Sequence, residues 1–572
     1  MVTITIKKSI DYHNQDNSAF VSFNYNKKYV DMIKELPFRT YHLDTKEWEI
    51  PLNKVDETKT NFEKFGEMVT IKGDVSLLNN NTQTKEIELP SDFYKTKPFA
   101  HQVVGVKRGL TDNSWFLGDE QGLGKTKTVI DIGVARKLIY GYKHCLIVCG
   151  VNTLKWNWLE EIKTHSNEDA YILGQKITKK GKLKIGSTKD KLRDLDFIQT
   201  MKGNDDLPYF LITNVESFRD ENIAVAVQNL CKNNIINMCA ADEMHKMKNP
   251  TSQQTKGFLK CQPKCKIAMT GTPLMNNPLD LYVILRWLGY ENHAFYNFKN
   301  HYCIMGGYGS HEILGYRNMP ELQSQVQDIM LRRLKKDVLD LPEKLYVDEY
   351  VELLSKQSVL YKEVNAGIKT ALANGEIDLN NPLSALIRLR QVTGYPGILS
   401  DVVKESAKLD RMTDIVEESI NNNKKVLIFS NWTQMTDAIY DRLSGCGYGI
   451  SVITGDTKDE DRQTIVNLFQ NESYCNVLIG TIGAMGTGLT LTAASTVIFV
   501  DEPWNKALYE QAVDRAHRIG QSNNITIYNL ITKDTIDEKI HQLVYKKGLM
   551  SDYIIDGHIV GDKSTLLNYL LS

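Results

Sequence analysis

Three short stretches of this chain carry side chains suited to holding and splitting a phosphate ester or anhydride. The run Gly122-Leu123-Gly124-Lys125-Thr126 follows the apolar triplet Trp115-Phe116-Leu117 and opens a helical pattern that continues to Leu138. Strand, glycine-rich loop and helix, in that order, present backbone N–H groups and a helix N-terminus to an anion. Lys125 would neutralise the β- and γ-phosphates of a bound ATP, and the Thr126 hydroxyl would ligate Mg2+. The usual phosphate-loop pattern has a glycine where this chain has Asp119. The second stretch is Asp242-Glu243, which ends the apolar run from Asn237 to Ala241. Paired carboxylates at the carboxyl end of a buried strand sit where α/β sheets bind ligands. Asp242 would hold Mg2+ through water, and Glu243 would orient and deprotonate the attacking water. The third stretch holds Arg515 and Arg518. At that spacing they also suit a helix surface, paired with Glu510 or Asp514. Gln102, in Pro98-Phe99-Ala100-His101-Gln102, can both donate to and accept from an adenine edge.

Each motif has a bland alternative. A glycine-rich turn can be empty, and an Asp-Glu pair at a strand end can simply be solvated. Their occurrence on one chain, with Thr270-Gly271-Thr272 closing the next apolar run, favours nucleotide chemistry.

These residues need a scaffold of buried strands. Continuous apolar runs at Cys145–Cys149, Phe210–Thr213, Ile236–Ala241 and Lys266–Met269 read as strands covered on both faces, hence a parallel α/β sheet. The pattern recurs at Val426–Phe429, Ser451–Ile453, Val477–Ile479, Val497–Val500 and Ile525–Leu530, which predicts a second such lobe. Between them, residues 291–405 read as mostly helical, and the stretch carries Arg332, Arg333, Lys335 and Lys336. Near the N-terminus, the alternation Val21, Phe23, Tyr25 predicts a strand. Tyr29, Ile33 and Leu36 then predict a helix, and Trp48 to Pro51 a second strand. The expected fold class is α/β, with two tandem parallel-sheet lobes. The expected domains are a small α+β module over 1–90, a first lobe over 91–290, the helical segment over 291–405, and a second lobe over 406–572.

A chain of 572 residues exceeds what one hydrophobic core organises. Its formal net charge of -1 leaves nucleic-acid binding to local basic patches. The nine cysteines include no Cys-x-x-Cys pair, and Cys261 and Cys265 have no histidine nearby to complete a zinc site. No apolar run reaches membrane-spanning length, and the N-terminus lacks a signal-peptide apolar region. A reducing, cytoplasmic setting and no membrane partner are expected.

The motifs together resemble a family. The set is Asp119-Glu120-Gln121-Gly122-Leu123-Gly124-Lys125-Thr126, Asp242-Glu243-Met244-His245, Met269 to Leu274, Gly486-Thr487-Gly488-Leu489-Thr490-Leu491, and Gln511 to Gln521 ending Arg518-Ile519-Gly520-Gln521. With Leu331 to Val338, Leu341-Pro342-Glu343-Lys344 and Asp501 to Asn505, it is similar to the Swi/Snf-type DNA translocases of helicase superfamily two. The resemblance covers about 95–555 in the family's order. It departs at Met244, where alanine is usual, and at Gly150, where proline is common.

Membership would imply that the two tandem lobes are RecA-like, with ATP in a cleft between them, contacted by residues 119–126, Gln102, Asp242 and Gly488, and with Arg515 and Arg518 reaching the γ-phosphate from the second lobe. It would also imply a monomeric motor on duplex or forked DNA, gripping phosphates without reading sequence. Lys155, Trp158, Asn214, Asn276, the Arg332–Lys336 cluster, Trp504 and the lysines 176, 179, 180, 182 and 184 are candidate contacts. Residues 20–51 loosely resemble the HepA-related (HARP) module of annealing helicases through Phe23-x-Tyr25, Lys34-x-Leu36-Pro37 and Trp48-x-Ile50-Pro51. That suggests branched-DNA recognition. No chromatin-reading module is recognisable, so replication, repair or recombination in a bacterial cell or phage-infected host is the expected setting. The competing expectations are a strand-separating DNA or RNA helicase and an ATP-binding scaffold for branched DNA.

Overall fold

The computed structural model describes residues 2–9, 17–36, 39–75, 88–150, 154–177, 183–202, 204, 206–271, 278–306, 312–373, 383–485, 489–504, 506–542, 554–555 and 558–559. Gly488, Asn276, Lys179, Lys180 and Lys182 lie outside them. The chain divides into two compact units, one of residues 1–119 with 124–333 and the other of 120–123 with 334–572.

The first unit is built on a seven-stranded, all-parallel sheet. Its strands run in the order Met330–Leu331, Ser114–Leu117, Cys265–Met269, Ile236–Asp242, His144–Cys149, Phe210–Asn214 and Ala170–Ile172. The five central strands are those of the apolar runs, and helices pack over them to bury two apolar clusters. Cys145 and Cys149 are part of one cluster, as their apolar context implies. Met244 fills space in the other, so the departure from alanine serves packing.

Gly150 also has a structural reason. Its N–H donates to the Asp242 carbonyl at 2.8 Å, and an added Cβ would lie 2.6 Å from the Glu243 carbonyl oxygen. Proline would lose that bond and collide there.

Also in this unit, the N-terminal residues form a five-stranded mixed sheet in the order Thr40–His42, Glu47–Ile50, Asn17–Ser22, Val2–Lys8 and Val69–Gly73. Helices Lys27–Glu35 and Val55–Lys64 accompany it, and Val2, Ile4, Val21, Ile33, Ile50 and Phe62 are buried in its core. The strand expected to run through Phe23 and Tyr25 ends instead at Ser22. Asn26 caps the helix by accepting from the Lys28 N–H at 3.0 Å, so the chain has already left the sheet. Phe23 packs against Tyr29 and Phe62, and Tyr25 is 86 % exposed.

The second unit carries a six-stranded, all-parallel sheet in the order Lys344–Val351, Ile525–Thr532, Ala494–Phe499, Lys425–Ser430, Cys475–Thr481 and Gly449–Ile453. Residues 291–405 are therefore not one helical segment. Met330–Leu331 adds an edge to the first sheet, Lys344–Val351 adds one to the second, and the division between units falls between Arg333 and Leu334.

Candidate nucleotide site

In the first unit, the residues expected to do chemistry gather at the carboxyl ends of neighbouring parallel strands, where open α/β sheets bind ligands. Strand Ser114–Leu117 runs into the phosphate loop, and helix Lys125–Tyr140 starts at Gly124. Gly122 and Gly124 have φ of +83° and +75°, a left-handed backbone that a side chain would strain. Gly124 supplies no side-chain cap, and the first helical turn has no acidic residue. The helix therefore offers its first N–H groups and the positive end of its dipole to an anion. Lys125 Nζ donates to the Asp119 carbonyl at 2.9 Å, which keeps the ammonium over the loop. Thr126 follows in the first turn, half-buried; Gln121 and Leu123 are buried and Glu120 is half-buried.

Arg136, which sequence reasoning missed, anchors this helix. It donates to Gly109 O at 2.7 Å, Asn113 Oδ1 at 2.9 Å, Asp112 O at 2.8 Å and Tyr142 Oη at 2.8 Å. A basic residue on an otherwise apolar helix face is the only signal it leaves in the sequence.

Asp242 ends its strand with both carboxylate oxygens engaged. Trp158 Nε1 donates to Oδ2 and the Glu243 N–H to Oδ1, each at 2.9 Å. Burial and then the adjacent Glu243 charge push its pKa up to about 6, against the lowering pull of the Trp158 N–H and the Lys125 ammonium. Two carboxylates are thus crowded at a buried strand end, a condition that a divalent cation relieves. No group of three His, Cys, Asp or Glu side chains among the described residues forms a metal cage. Mg2+ fits this donor set, since it is usually held by one or two protein oxygens plus phosphates and water; Thr126 and Asp242 would supply those oxygens.

Glu243 has φ +49° and ψ +47°, a strained backbone for a non-glycine residue that aims its side chain. His245 Nδ1 lies 3.2 Å from Glu243 Oε2 and 2.9 Å from Thr270 Oγ1, joining this strand end to the next.

Gln102 is buried beside the phosphate loop. Its Oε1 accepts from the Phe99 N–H at 3.0 Å, and its Nε2 donates to the Gly124 carbonyl at 3.4 Å. The carboxamide expected to read a base edge thus also ties a helix start to the loop. The Asp119 carboxylate, at the start of the loop, is held by Arg333, whose Nε donates to it at 2.8 Å.

Trp158→Phe is expected to leave the fold intact and to raise the Mg2+ concentration for half-maximal ATP-analogue binding by about 10–100-fold. Removing the donor raises the Asp242 pKa further, so more of the carboxyl is protonated and unavailable to the metal as pH falls. The defect should therefore deepen as pH drops through about 6. A Mg2+ titration at several pH values checks this, and an unaltered titration would remove Asp242 from the metal site.

In the second unit, Arg515 and Arg518 lie just beyond helix Lys506–Val513. Arg515 is buried, its Nε donating to the Gln511 carbonyl at 3.2 Å, and Arg518 Nη1 donates to Leu489 O at 3.4 Å. The carboxylates suggested as helix-surface partners have other cations nearby: Asp514 pairs with Lys335 at 2.6 Å, and Glu510 lies 3.9 Å from Lys344. Gln521 Nε2 points at the carbonyls of Thr492, Ala494 and Ala516 within 3.1 Å, and so pins the segment bearing the arginines.

Several candidate DNA contacts are engaged by the protein. Trp158 is buried on Asp242, and Lys155 is buried with its Nζ 3.5 Å from Asn214 Oδ1. Arg332 donates to Gly118 O at 2.7 Å, and Trp504 lies against the Arg390 guanidinium at 4.6 Å. Of the 332–336 cluster, only Lys336 is exposed. Lys176 pairs with Asp190 at 2.7 Å, while Lys184 is exposed.

The profile of the SNF2-related domain matches residues 41–398, and that of the helicase conserved C-terminal domain matches 407–520. An uncharacterized ATP-dependent helicase of Mycoplasma pneumoniae is 29 % identical over 468 residues, covering 80 % of this chain and 42 % of the relative. The DNA annealing helicase and endonuclease ZRANB3 of Bos taurus is 27 % identical over 497 residues, covering 83 % and 42 %. The chain thus spans less than half the length of these relatives. A solved structure of the Sulfolobus solfataricus SWI2/SNF2 ATPase core in complex with dsDNA aligns with TM-score 0.36 and 24 % identity, covering 83 % of this chain and 97 % of that one.

Proposed function

This chain belongs to the family of SNF2-related domain proteins, and from that premise we propose that it is an ATP-hydrolysing motor that moves along double-stranded or branched DNA. One observation carries the reading. The left-handed Gly124, Lys125 and the crowded Asp242–Glu243 pair belong to one sheet end of the first unit. An empty turn has no use for the two acids, and a solvated acidic pair has no use for the loop.

In this reading the loop N–H groups and Lys125 bind the β- and γ-phosphates, and Gln102 marks the adenine edge. Thr126 and Asp242 hold Mg2+, which when bound spreads the charge of the phosphates. Glu243 takes the proton of the attacking water. Arg515 and Arg518 supply charge to the transferring γ-phosphoryl group. Gly488 joins the nucleotide contacts by resemblance alone. The motor works as a monomer and holds DNA through phosphates, hence without sequence preference. Among the described residues no helix is long and apolar enough to cross a membrane.

The finer part of the proposal assigns residues 1–90 to recognition of branched DNA, in fork remodelling during replication, repair or recombination. It rests on the HARP-like spacing of Phe23, Leu36-Pro37 and Trp48-x-Ile50-Pro51 on a module with its own sheet and core. Hydrolysis measured without nucleic acid, and with single-stranded, duplex or forked DNA or RNA, tests both parts, with Lys125→Ala as control. Duplex and forked DNA are expected to stimulate hydrolysis strongly, and deleting residues 1–90 is expected to abolish a preference for forks. Stimulation by single strands or RNA alone would point to a strand-separating helicase. A complete lack of hydrolysis would leave an ATP-binding scaffold.

A further inference from the structure

Gly118-Asp119, the entrance to the phosphate loop, lies in the first unit and is held by the last residues of that unit. Met330–Leu331 pairs with the strand that leads into the loop. The Gly118 N–H then donates to Leu331 O at 2.9 Å, and Arg332 Nη1 donates to Gly118 O at 2.7 Å. A Cβ on Gly118 would meet Met330 Sδ at 2.7 Å, so the two segments need this glycine to close up.

Asp119, in the position where the phosphate-loop pattern has glycine, is 1 % exposed. The Arg333 N–H donates to its Oδ1 at 3.1 Å and the Arg333 Nε to the same atom at 2.8 Å, while Nη2 pairs with Oδ2. Arg333 Nη1 also donates to the His101 carbonyl, one residue before Gln102. The guanidinium thus grips, by a bidentate fork, the residue whose own carbonyl receives Lys125 Nζ at 2.9 Å.

Two residues further on, in the second unit, Lys335 is buried. Its Nζ pairs with Asp514 at 2.6 Å and donates to the His517 carbonyl at 2.7 Å. Asp514 and His517 immediately precede Arg515 and Arg518. Leu334 alone separates the residue that grips the phosphate loop from the residue that grips the arginine segment.

We infer that Arg333 is a positioning residue of the nucleotide loop, and that Arg333-Leu334-Lys335 is a strap through which the state of that loop reaches the segment bearing Arg515 and Arg518. The inference rests on the ATPase reading for its catalytic consequence, and on geometry within each unit and chain connection for everything else. A fork holding both carboxylate oxygens fixes the orientation of the Asp119 peptide, and with it the rest position of Lys125. Lysine keeps the charge but not the fork.

The test compares Arg333→Lys, Asp119→Asn, the double variant Asp119→Asn/Arg333→Gln, and a Gly-Gly insertion after Leu334, all in the full chain. Affinity for a fluorescent ADP analogue, KM and kcat for ATP with duplex DNA, and melting temperature are measured for each. Each single variant is expected to weaken ADP-analogue binding and raise KM roughly tenfold or more. The double variant, which leaves neither a lone buried carboxylate nor a lone buried guanidinium, is expected to recover part of both. The insertion is expected to keep nucleotide affinity and lose DNA stimulation of kcat. Single variants that melt earlier yet bind nucleotide as the wild type does would make the pair merely structural and overturn the positioning role. Full DNA stimulation in the insertion variant would overturn the strap. A wild-type protein that binds the analogue but hydrolyses no ATP would sink the ATPase reading, while the binding arm would still judge Arg333.

Discussion

Glu243→Gln is expected to bind ATP with near wild-type affinity and to hydrolyse it about 10²–10⁴-fold more slowly. Glutamine matches the shape of glutamate and keeps a hydrogen-bonding oxygen, but it cannot take a proton from water. The left-handed backbone at Glu243 comes from the turn that follows the strand, and the amide inherits it. His245 keeps its 2.9 Å bond to Thr270 and faces a neutral amide in place of the carboxylate 3.2 Å away. Asp242 should become a stronger carboxylate, because the second largest force raising its pKa is the Glu243 charge, which the substitution removes. Mg2+-nucleotide binding should therefore be preserved or improved, which separates this variant from Lys125→Ala. Steady-state hydrolysis with duplex DNA, paired with fluorescent-nucleotide titration, makes the comparison. Wild-type turnover in the glutamine variant would falsify the assignment of Glu243 as the base.

The parts of this protein that were legible in its sequence are those where burial leaves no choice of residue. The five central strands of the first sheet and the four inner strands of the second lie between neighbours on both sides, and each shows as a largely apolar run. Strand Lys344–Val351 was missed because it lies at a sheet edge. Its Leu345 and Tyr346 are exposed, and Asp348 and Glu349 break the run. Met330–Leu331 is too short to leave a pattern, although it closes the sheet beside the phosphate loop. Val2–Lys8, by contrast, carries a period-two alternation of Val2, Ile4 and Ile6 with Thr3, Thr5 and Lys7 that could have been read.

The same divide runs through the site. The phosphate loop and Asp242-Glu243 are local arrangements, so spacing reveals them. The bonds that tune them are not local: Trp158 reaches Asp242 across 84 residues and Arg333 reaches Asp119 across 214. Asp119 looked like a weakened phosphate-loop motif because its partner could not be seen. Arg332, Arg333 and Lys335 looked like a basic track for DNA because sequence shows charge but not what neutralises it.

Arg515→Ala and Arg518→Ala are expected, each on its own, to lower DNA-stimulated hydrolysis on the order of 10³-fold with much smaller changes in ATP binding. A cation that acts on charge developing during phosphoryl transfer contributes to kcat rather than to ground-state affinity. The second unit holds both arginines in a segment pinned by several hydrogen bonds. Gln521 spans three carbonyls, the Leu491 N–H donates to the Arg515 carbonyl at 2.9 Å, and His517 bonds to Pro342 O at 2.8 Å. Asp514 is occupied by Lys335, so the neighbouring carboxylate that would most simply explain a structural arginine already has a cation. Arg515→Lys discriminates further. A lysine retains the charge but not the planar fork, and should recover only a small part of the lost rate if orientation matters. Because Arg515 is buried, melting curves must accompany the kinetics. A folded Arg515→Ala or Arg518→Ala variant that hydrolyses ATP at the wild-type rate would remove that arginine from the reaction, and loss of both would leave the first unit to act on the nucleotide without help from the second.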